Sequence, residues 1–437
     1  MTSELLDRAQ NPLTPLPELG VLARSGDRAV VLSVARNPSC PARTLRWLAL
    51  RGNVEMHAAL CQNPGAPLRL LFKLGVRNPE AFAANPLTPG LLDSREPVKK
   101  PLVPCSLLGA LLALPAARMS LLPSAVSHPY PSVRRAAAAS PLLQSSDRDR
   151  LARDRDPRVR AAAAGHGSLE PALARRFAMD DKGIVREALA RNRSTPAEIV
   201  QELARDGDPS VRLGVAWNET TPWEVLMVLI EDPSTAVRRR LAKRLTRDEA
   251  AFVTLARDPD ADVRRTLAAN SWTPQAAFDV LIHDPLFDVR CHAARNPALP
   301  PALVKVLSRD EDFRVRCALL QRPDMEAWLP LQLATDESEE VRVYVARAYQ
   351  PATPTSVCER LATDPSSRVR GAAISSNRLS EATLAKLAKD RSAFIRGEVA
   401  SYRHTPRRIL VALTRDPAFA VRLCAEESLA KRERERG

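Results

Sequence analysis

The sequence predicts an all-α fold, a superhelical solenoid of about sixteen short helix-turn-helix repeats with a 26-residue period. Three observations predict it. A Val-Arg pair recurs at Val133, Val159, Val185, Val211, Val237, Val263, Val289, Val315 and Val341, each step being 26 residues. A step of 28 then leads to Val369, and the beat resumes at Ile395 and Val421. An aspartate stands five residues before the branched residue in eleven of these twelve repeats, from Asp154 to Asp416; the first repeat has His128 instead. Finally, an asparagine follows seven residues after the valine in several repeats (Asn192, Asn218, Asn270, Asn296), with a Thr-Pro pair close behind.

Each part of the repeat has a local reading. Asp followed by Pro, as in Asp232-Pro233, Asp258-Pro259 and Asp284-Pro285, reads as the N-cap and first residue of a helix. A carboxylate accepts from orphan N–H groups there, and proline needs no donor. The first helix then carries Val-Arg and a run of small residues. The asparagine is expected to end it, since asparagine tolerates the left-handed conformation. Thr195-Pro196, Thr221-Pro222, Thr273-Pro274 and Thr405-Pro406 read as the next N-cap and first position. Thr246 with Glu249, or Asp324, supplies a cap where that pair is missing. The second helix has apolar residues at helical spacing, as in Ile199, Val200 and Leu203. Helices of about ten residues are unstable alone, so stacking must bury their apolar faces.

Three regions follow along the chain. Residues 1–90 are N-terminal degenerate repeats: Asn11-Pro12, Asn37-Pro38, Asn63-Pro64 and Asn85-Pro86 keep the turn but lose the Asp and Arg. Residues 91–131 are irregular and proline-rich, a candidate hinge, with a greasy stretch from Leu107 to Leu114. Residues 132–437 form the regular array. The extra residues of the long step fall near Gln350 to Ala352, in a turn, where insertions are tolerated.

The repeat Val-Arg-x-x-x-Ala-x-Asn-Pro-x-Thr-Pro, clearest at Val185–Pro196, Val211–Pro222 and Val289–Pro300, resembles the leucine-rich repeat variant, a bacterial all-helical solenoid related to HEAT repeats. Some members of that family carry a cysteine cluster for an iron–sulfur centre; no such cluster is present in this sequence, and no cofactor is implied. The Asp-Pro-x-x-x-Val-Arg element also resembles the HEAT-like repeats of phycobiliprotein lyases, but the asparagine turn favours the first family. Neither resemblance supplies a catalytic residue, and fold alone does not give function.

Composition narrows the classes. No signal-peptide pattern opens the chain and no apolar run is long enough to span a membrane, so a cytoplasmic protein with no membrane association is expected. The seven cysteines and six histidines lack metal-ligand spacing. Cys291 and Cys317 share one position in successive repeats. Packed helices lie about 8–10 Å apart, too far for a disulfide, so both read as small core residues. No acid–base pair or nucleophile arrangement stands out, so the chain is read as a non-enzyme. A HEAT-like enzyme, such as a DNA glycosylase or bilin lyase, is the weakest class.

The arginine row invites a binding reading, since stacked guanidinium groups can track a phosphate backbone. The companion aspartates favour an internal ladder that includes Asp232, Arg238, Asp258, Arg264, Asp284, Arg290, Asp310 and Arg316. With the twelve arginines and eleven aspartates set aside, a surplus of +13 remains. Its densest cluster is Arg239, Arg240, Lys243, Arg244 and Arg247, with Arg265 one repeat on. A second set shares the position six after the valine: Arg191, Trp217, Lys243, Arg295 and Arg347, with Arg36 at the equivalent N-terminal place. These are candidate binding residues. Trp217, Trp223 and Trp272 form a candidate contact patch. Aromatic residues make up 4% of the chain, which argues against a single-strand stacking platform. The expected partner is an unidentified protein, with nucleic-acid backbone binding as the alternative.

Overall fold

A computed structural model describes residues 2–89, 104–112, 114, 122–123, 125–140, 143–347 and 354–434. Among them are 31 helices and no strand. The chain falls into two units, Met1–Leu226 and Met227–Gly437. Each is a stack of two-helix repeats in which a first helix, usually of nine residues, alternates with a second helix of about seven.

In the N-terminal unit the first helices include Arg28–Arg36, Val54–Gln62, Pro157–Gly165, Gly183–Arg191 and Pro209–Trp217. Their second helices include Leu16–Leu22, Ala42–Arg51, Leu68–Gly75, Pro171–Ala178 and Ala197–Leu203. The repeat valines Val159, Val185 and Val211 are fully buried. So are Phe177 and Leu189, while Ile199, Val200 and Leu203 are nearly so. Burying each such side chain contributes roughly 1.5–3 kcal/mol. First helices of successive repeats pack directly on one another, whereas second helices touch their neighbours far less. Small residues permit the close approach. At Gly214, a Cβ would lie 3.0 Å from both the Ala190 Cβ and the Glu187 carbonyl oxygen of the preceding first helix.

The C-terminal unit repeats this plan with Thr235–Arg244, Ala261–Ala268, Phe287–Arg295, Phe313–Leu319, Glu339–Arg347, Ser367–Ser375 and Ala393–Ser401 as first helices. Val237, Val263, Val289, Val315, Val341, Val369 and Ile395 are fully buried, and Phe252 and Phe278 fill the layer beneath.

The caps differ from the sequence reading. The repeat aspartate is not the N-cap. That role falls two residues later, to Asp156, Asp208, Asp260, Asp312 and Ser366, whose side chains accept from backbone N–H groups of the first turn. The proline of Asp258-Pro259 therefore lies in the turn, ahead of the helix that starts at Ala261. Likewise, Thr195 does not cap the second helix, because Pro196 is its N-cap. The Thr195 hydroxyl instead donates back to the Leu189 carbonyl, 2.6 Å away. Asp248, not Thr246, caps the helix Glu249–Ala256, and Asp324 pairs with Arg322 instead of capping. The asparagines are not left-handed. Asn192 has φ −72° and ψ 121°, and Asn218 and Asn296 are similarly extended.

Most of the candidate hinge at 91–131 lies outside the described residues, as do Gln350 to Ala352. Within the greasy stretch, Cys105–Leu112 is a helix with Leu107, Leu111 and Leu112 buried.

Candidate interaction surfaces

Two polar ladders run along the stacks. In the first, each arginine reaches forward to the next repeat. Arg290 donates from Nε to Asp310 Oδ2 at 2.8 Å and from Nη2 to Oδ1 at 2.9 Å. Its Nη1 donates to the backbone carbonyl of Asp284, the aspartate of its own repeat, at 2.8 Å. The same bidentate pairing joins Arg134 to Asp154, Arg160 to Asp180 and Arg186 to Asp206 in the N-terminal unit. In the C-terminal unit it joins Arg238 to Asp258, Arg264 to Asp284, Arg316 to Asp336, Arg342 to Asp364, Arg370 to Asp390 and Arg396 to Asp416. The Arg342–Asp364 pair spans 22 residues instead of 20, so the long step leaves the ladder unbroken. Each aspartate Oδ1 also accepts from the backbone N–H two residues on, as Asp310 does from Asp312. His128 lacks the carboxylate, but its carbonyl still receives Arg134 Nη1.

The electrostatics follow from this geometry. The Arg396 guanidinium holds the Asp416 carboxyl below the usual carboxylate range. Burial pushes Asp154, Asp206 and Asp390 upward, but the paired arginine and the backbone N–H outweigh it and the net direction is down. Arg290 moves up in turn through its bond with Asp310, and Arg238 through its bond with Asp258. Charge-assisted bidentate bonds of this kind are among the strongest available to side chains. They leave Nε, Nη1 and Nη2 of the ladder arginines already committed.

The second ladder is made by asparagine, and the sequence reading missed it. Asn296 Nδ2 donates to the Ala268 and Asn270 carbonyls of the preceding repeat, at 2.7 and 2.8 Å, and Oδ1 accepts from Ala298 N–H. Asn63 does the same toward Ala35 and Asn37, and Asn218 toward Ala190 and Asn192. Where asparagine is absent, Arg322 donates to the Asn296 carbonyl in its place. The signal was the regular Asn spacing itself, whose partners lie 26–28 residues upstream.

The basic cluster divides. Arg238 is held by Asp258. Arg265 lies between Asp262 and Asp288, its Nε 2.5 Å from Asp288. Arg239, Lys243 and Arg247 are exposed, while Arg240 and Arg244 are half-buried. The position six after the valine is exposed at Arg36, Arg191 and Trp217 in the N-terminal unit and at Lys243, Arg295 and Arg347 in the C-terminal one. Arg191 pairs with Glu187 at 3.0 Å. Arg295 donates to Gln321, which donates to the Tyr344 hydroxyl, linking three successive repeats across the face. At the starts of their first helices, Arg314 sits over the Phe287 ring and Arg368 pairs with Glu339 and Glu340. Trp217 and Trp272 are exposed and Trp223 is half-buried.

A groove that the sequence reading did not anticipate lies in the N-terminal unit. It has a volume of about 1020 Å³ and sits between the second helices Ala42–Arg51 and Leu68–Gly75. Arg46, Arg69, Lys73 and Arg77 line it, together with exposed Leu50 and half-buried Phe72. The i, i+4, i+8 spacing of Arg69, Lys73 and Arg77 was the readable signal.

Among the described residues no His, Cys, Asp and Glu side chains gather as a metal site. Cys40, Cys61, Cys291, Cys317 and Cys358 are free and buried. Burial pushes the thiols of Cys40, Cys291 and Cys317 up to about 11 and that of Cys61 to about 12. No described helix is long and apolar enough to cross a membrane.

No family model matches the chain, and no curated protein matches it. Solved structures do. A chain in the structure of Kap95p with RanGDP is 12% identical over 98% of this chain and 61% of its own length, with a TM-score of 0.32. The Pds5–Scc1 complex gives 13% identity over 98% and 71%, with a TM-score of 0.25. UNC-45 from Drosophila melanogaster gives 13% over 96% and 63%, with a TM-score of 0.19. The chain thus spans less than two thirds of the first of these. The protein is an all-α repeat protein of stacked two-helix repeats, a class fixed by its own helices and ladders.

Proposed function

We propose that this chain is a non-enzymatic scaffold that holds a partner protein on the exposed faces of its repeats. One observation carries the reading. The arginine–aspartate and asparagine groups that recur along the array are consumed in joining repeats, while the exposed positions change from one repeat to the next. At six residues after the valine, the C-terminal unit presents Lys243, Ala269, Arg295, Gln321 and Arg347 in succession. A constant frame under a variable surface suits recognition of a specific protein face. Elsewhere on the first helices Arg265 and Arg368 are already paired with carboxylates, and this mixed charge supports a protein partner over a phosphate backbone.

We also place the repeats with the leucine-rich repeat variant, on the strength of the Asn-Pro-x-Thr-Pro turn; at Asn85–Pro89 the asparagine donates to carbonyls of the preceding repeat and the threonine to the Phe82 carbonyl of its own. Free buried thiols fit a reducing, cytoplasmic setting.

The test is cross-linking capture from the native host, followed by reconstitution with the purified candidate. A stoichiometric complex weakened by Arg295→Glu or Arg347→Glu supports the scaffold. Tight duplex DNA binding that weakens steeply with salt, with no protein complex, contradicts it.

A further inference from the structure

We propose that the groove between the second helices Ala42–Arg51 and Leu68–Gly75 is a docking site for an acidic amphipathic helix of a partner protein. The inference rests on the scaffold reading and gives it a location and a partner chemistry.

Three features carry it. First, the groove is cationic on its rim: Arg46, Arg69, Lys73 and Arg77 are exposed, and no acidic residue is among the described residues that line it. None of the four makes an ion pair with another described residue, whereas the ladder arginines are all paired or otherwise engaged. Second, the cations are in register. Arg69 and Lys73 are four apart on one helix, and Arg77 continues the spacing past its end. Four residues of helix rise about 6 Å, so carboxylates at i, i+4 and i+8 of a partner helix match the row. Third, the groove is apolar between the cations. Leu50 is 84% exposed and Val76 39% exposed, and with half-buried Phe72 they offer apolar surface for a partner's apolar face to cover. An apolar face laid into a groove with carboxylates along its edge is the helix-in-groove mode of recognition.

The architecture explains why the groove is here. In this unit first helices stack tightly but the second helices Ala42–Arg51 and Leu68–Gly75 do not, which leaves a furrow floored by the first helix between them; His57 of Val54–Gln62 lines it. Phe72 and the His57 imidazole are the two rings among the described lining residues, and they lie on different helices, so the site lacks a row of successive rings along one strand of bases.

The experiment uses the full chain and a fluorescent peptide of about 18 residues, five helical turns. The peptide carries Glu at every fourth position beside a row of leucines. Anisotropy is expected to show saturable binding that falls at least about tenfold in Arg69→Glu/Lys73→Glu, a charge-reversed rim. Arg69→Lys/Lys73→Arg retains binding, and a peptide with its leucines changed to serine loses it. The melting temperature of each variant confirms that the fold is kept. Binding indifferent to charge reversal, or no binding at all, overturns the proposal. So does a short DNA duplex or a phosphatidylserine vesicle that binds through the same residues more tightly than the peptide. If the charge-reversed chain still captures the partner that the unaltered chain captures from the host, the groove inference fails while the scaffold reading stands. If neither captures a partner, the scaffold reading fails.

Discussion

Arg290 and Asp310 form a two-bond pair between successive repeats, while the same guanidinium holds the backbone carbonyl of Asp284 in its own repeat. Both side chains are 7% exposed. One arginine thus clamps the turn behind it to the turn ahead, and the motif repeats along each unit. The beat that dominates the sequence is the mortar of the stack.

The asparagine ladder should matter as much locally. Asn296 is 3% exposed and satisfies two carbonyls of the preceding repeat. Asn296→Ala leaves Ala268 and Asn270 oxygens without that donor, and urea unfolding is expected to show a loss of about 1–3 kcal/mol. Asn296→Asp, which points a third acceptor at two others, should cost more. Wild-type stability in either variant would show that water or relaxation replaces the bond.

Close helix packing is the basis of the second prediction. Gly214→Leu places a side chain where even a Cβ meets Ala190 and Glu187 at 3.0 Å. Overpacking of this kind costs about 1–3 kcal/mol. The melting temperature should fall accordingly, whereas the exposed control Gly207→Ala, with open space at its Cβ, should leave it nearly unchanged.

Acid should loosen the stack in a defined window. Asp154, Asp180, Asp206, Asp390 and Asp416 have carboxyls held below their ordinary value in the folded chain. A depressed carboxylate contributes stability that is present above the unfolded pKa, about 3.9, and is lost as pH falls through the folded value. Thermal melts should therefore fall steeply only below about pH 4. His128, lowered by burial and by Arg134, adds a shallow decline below about pH 6.5. A steep loss between pH 7 and 5 would assign the effect to something other than the ladder.

Thiol labelling checks the core. Cys40, Cys61, Cys291 and Cys317 are buried, and their thiols are pushed up to about 11–12. Mass-mapped alkylation of the native chain at pH 8 should find these four protected, and denaturant should expose them together. Rapid native labelling of Cys291 or Cys317 would place them at a surface.

The fold was legible because its period is local and nearly constant in residue count: twelve buried branched residues, eleven with a companion aspartate, announce themselves in one dimension. The role of that aspartate was half legible. An N-cap carboxylate and a turn carboxylate both accept from the N–H two residues on, so Asp258-Pro259 reads as a cap although Asp260 performs that role. The asparagines were misread for a different reason. Their partners lie in the preceding repeat, and nothing near Asn192 in sequence points to Ala164 and Gly167. The groove was hidden because Arg46 and Arg69 belong to different repeats, in the region where the Val-Arg beat is missing.

Each ladder arginine joins its repeat to the next one, as Arg290 does through Asp310. Two double-mutant cycles test it most directly: Arg290→Ala with Asp310→Ala, and Arg290→Ala with Asp284→Ala, each followed by urea unfolding. A coupling of about 1–3 kcal/mol is expected for Arg290 with Asp310 and a value near zero for Arg290 with the Asp284 side chain, whose carboxylate serves Arg264. Equal couplings, or the larger one within the repeat, would contradict it.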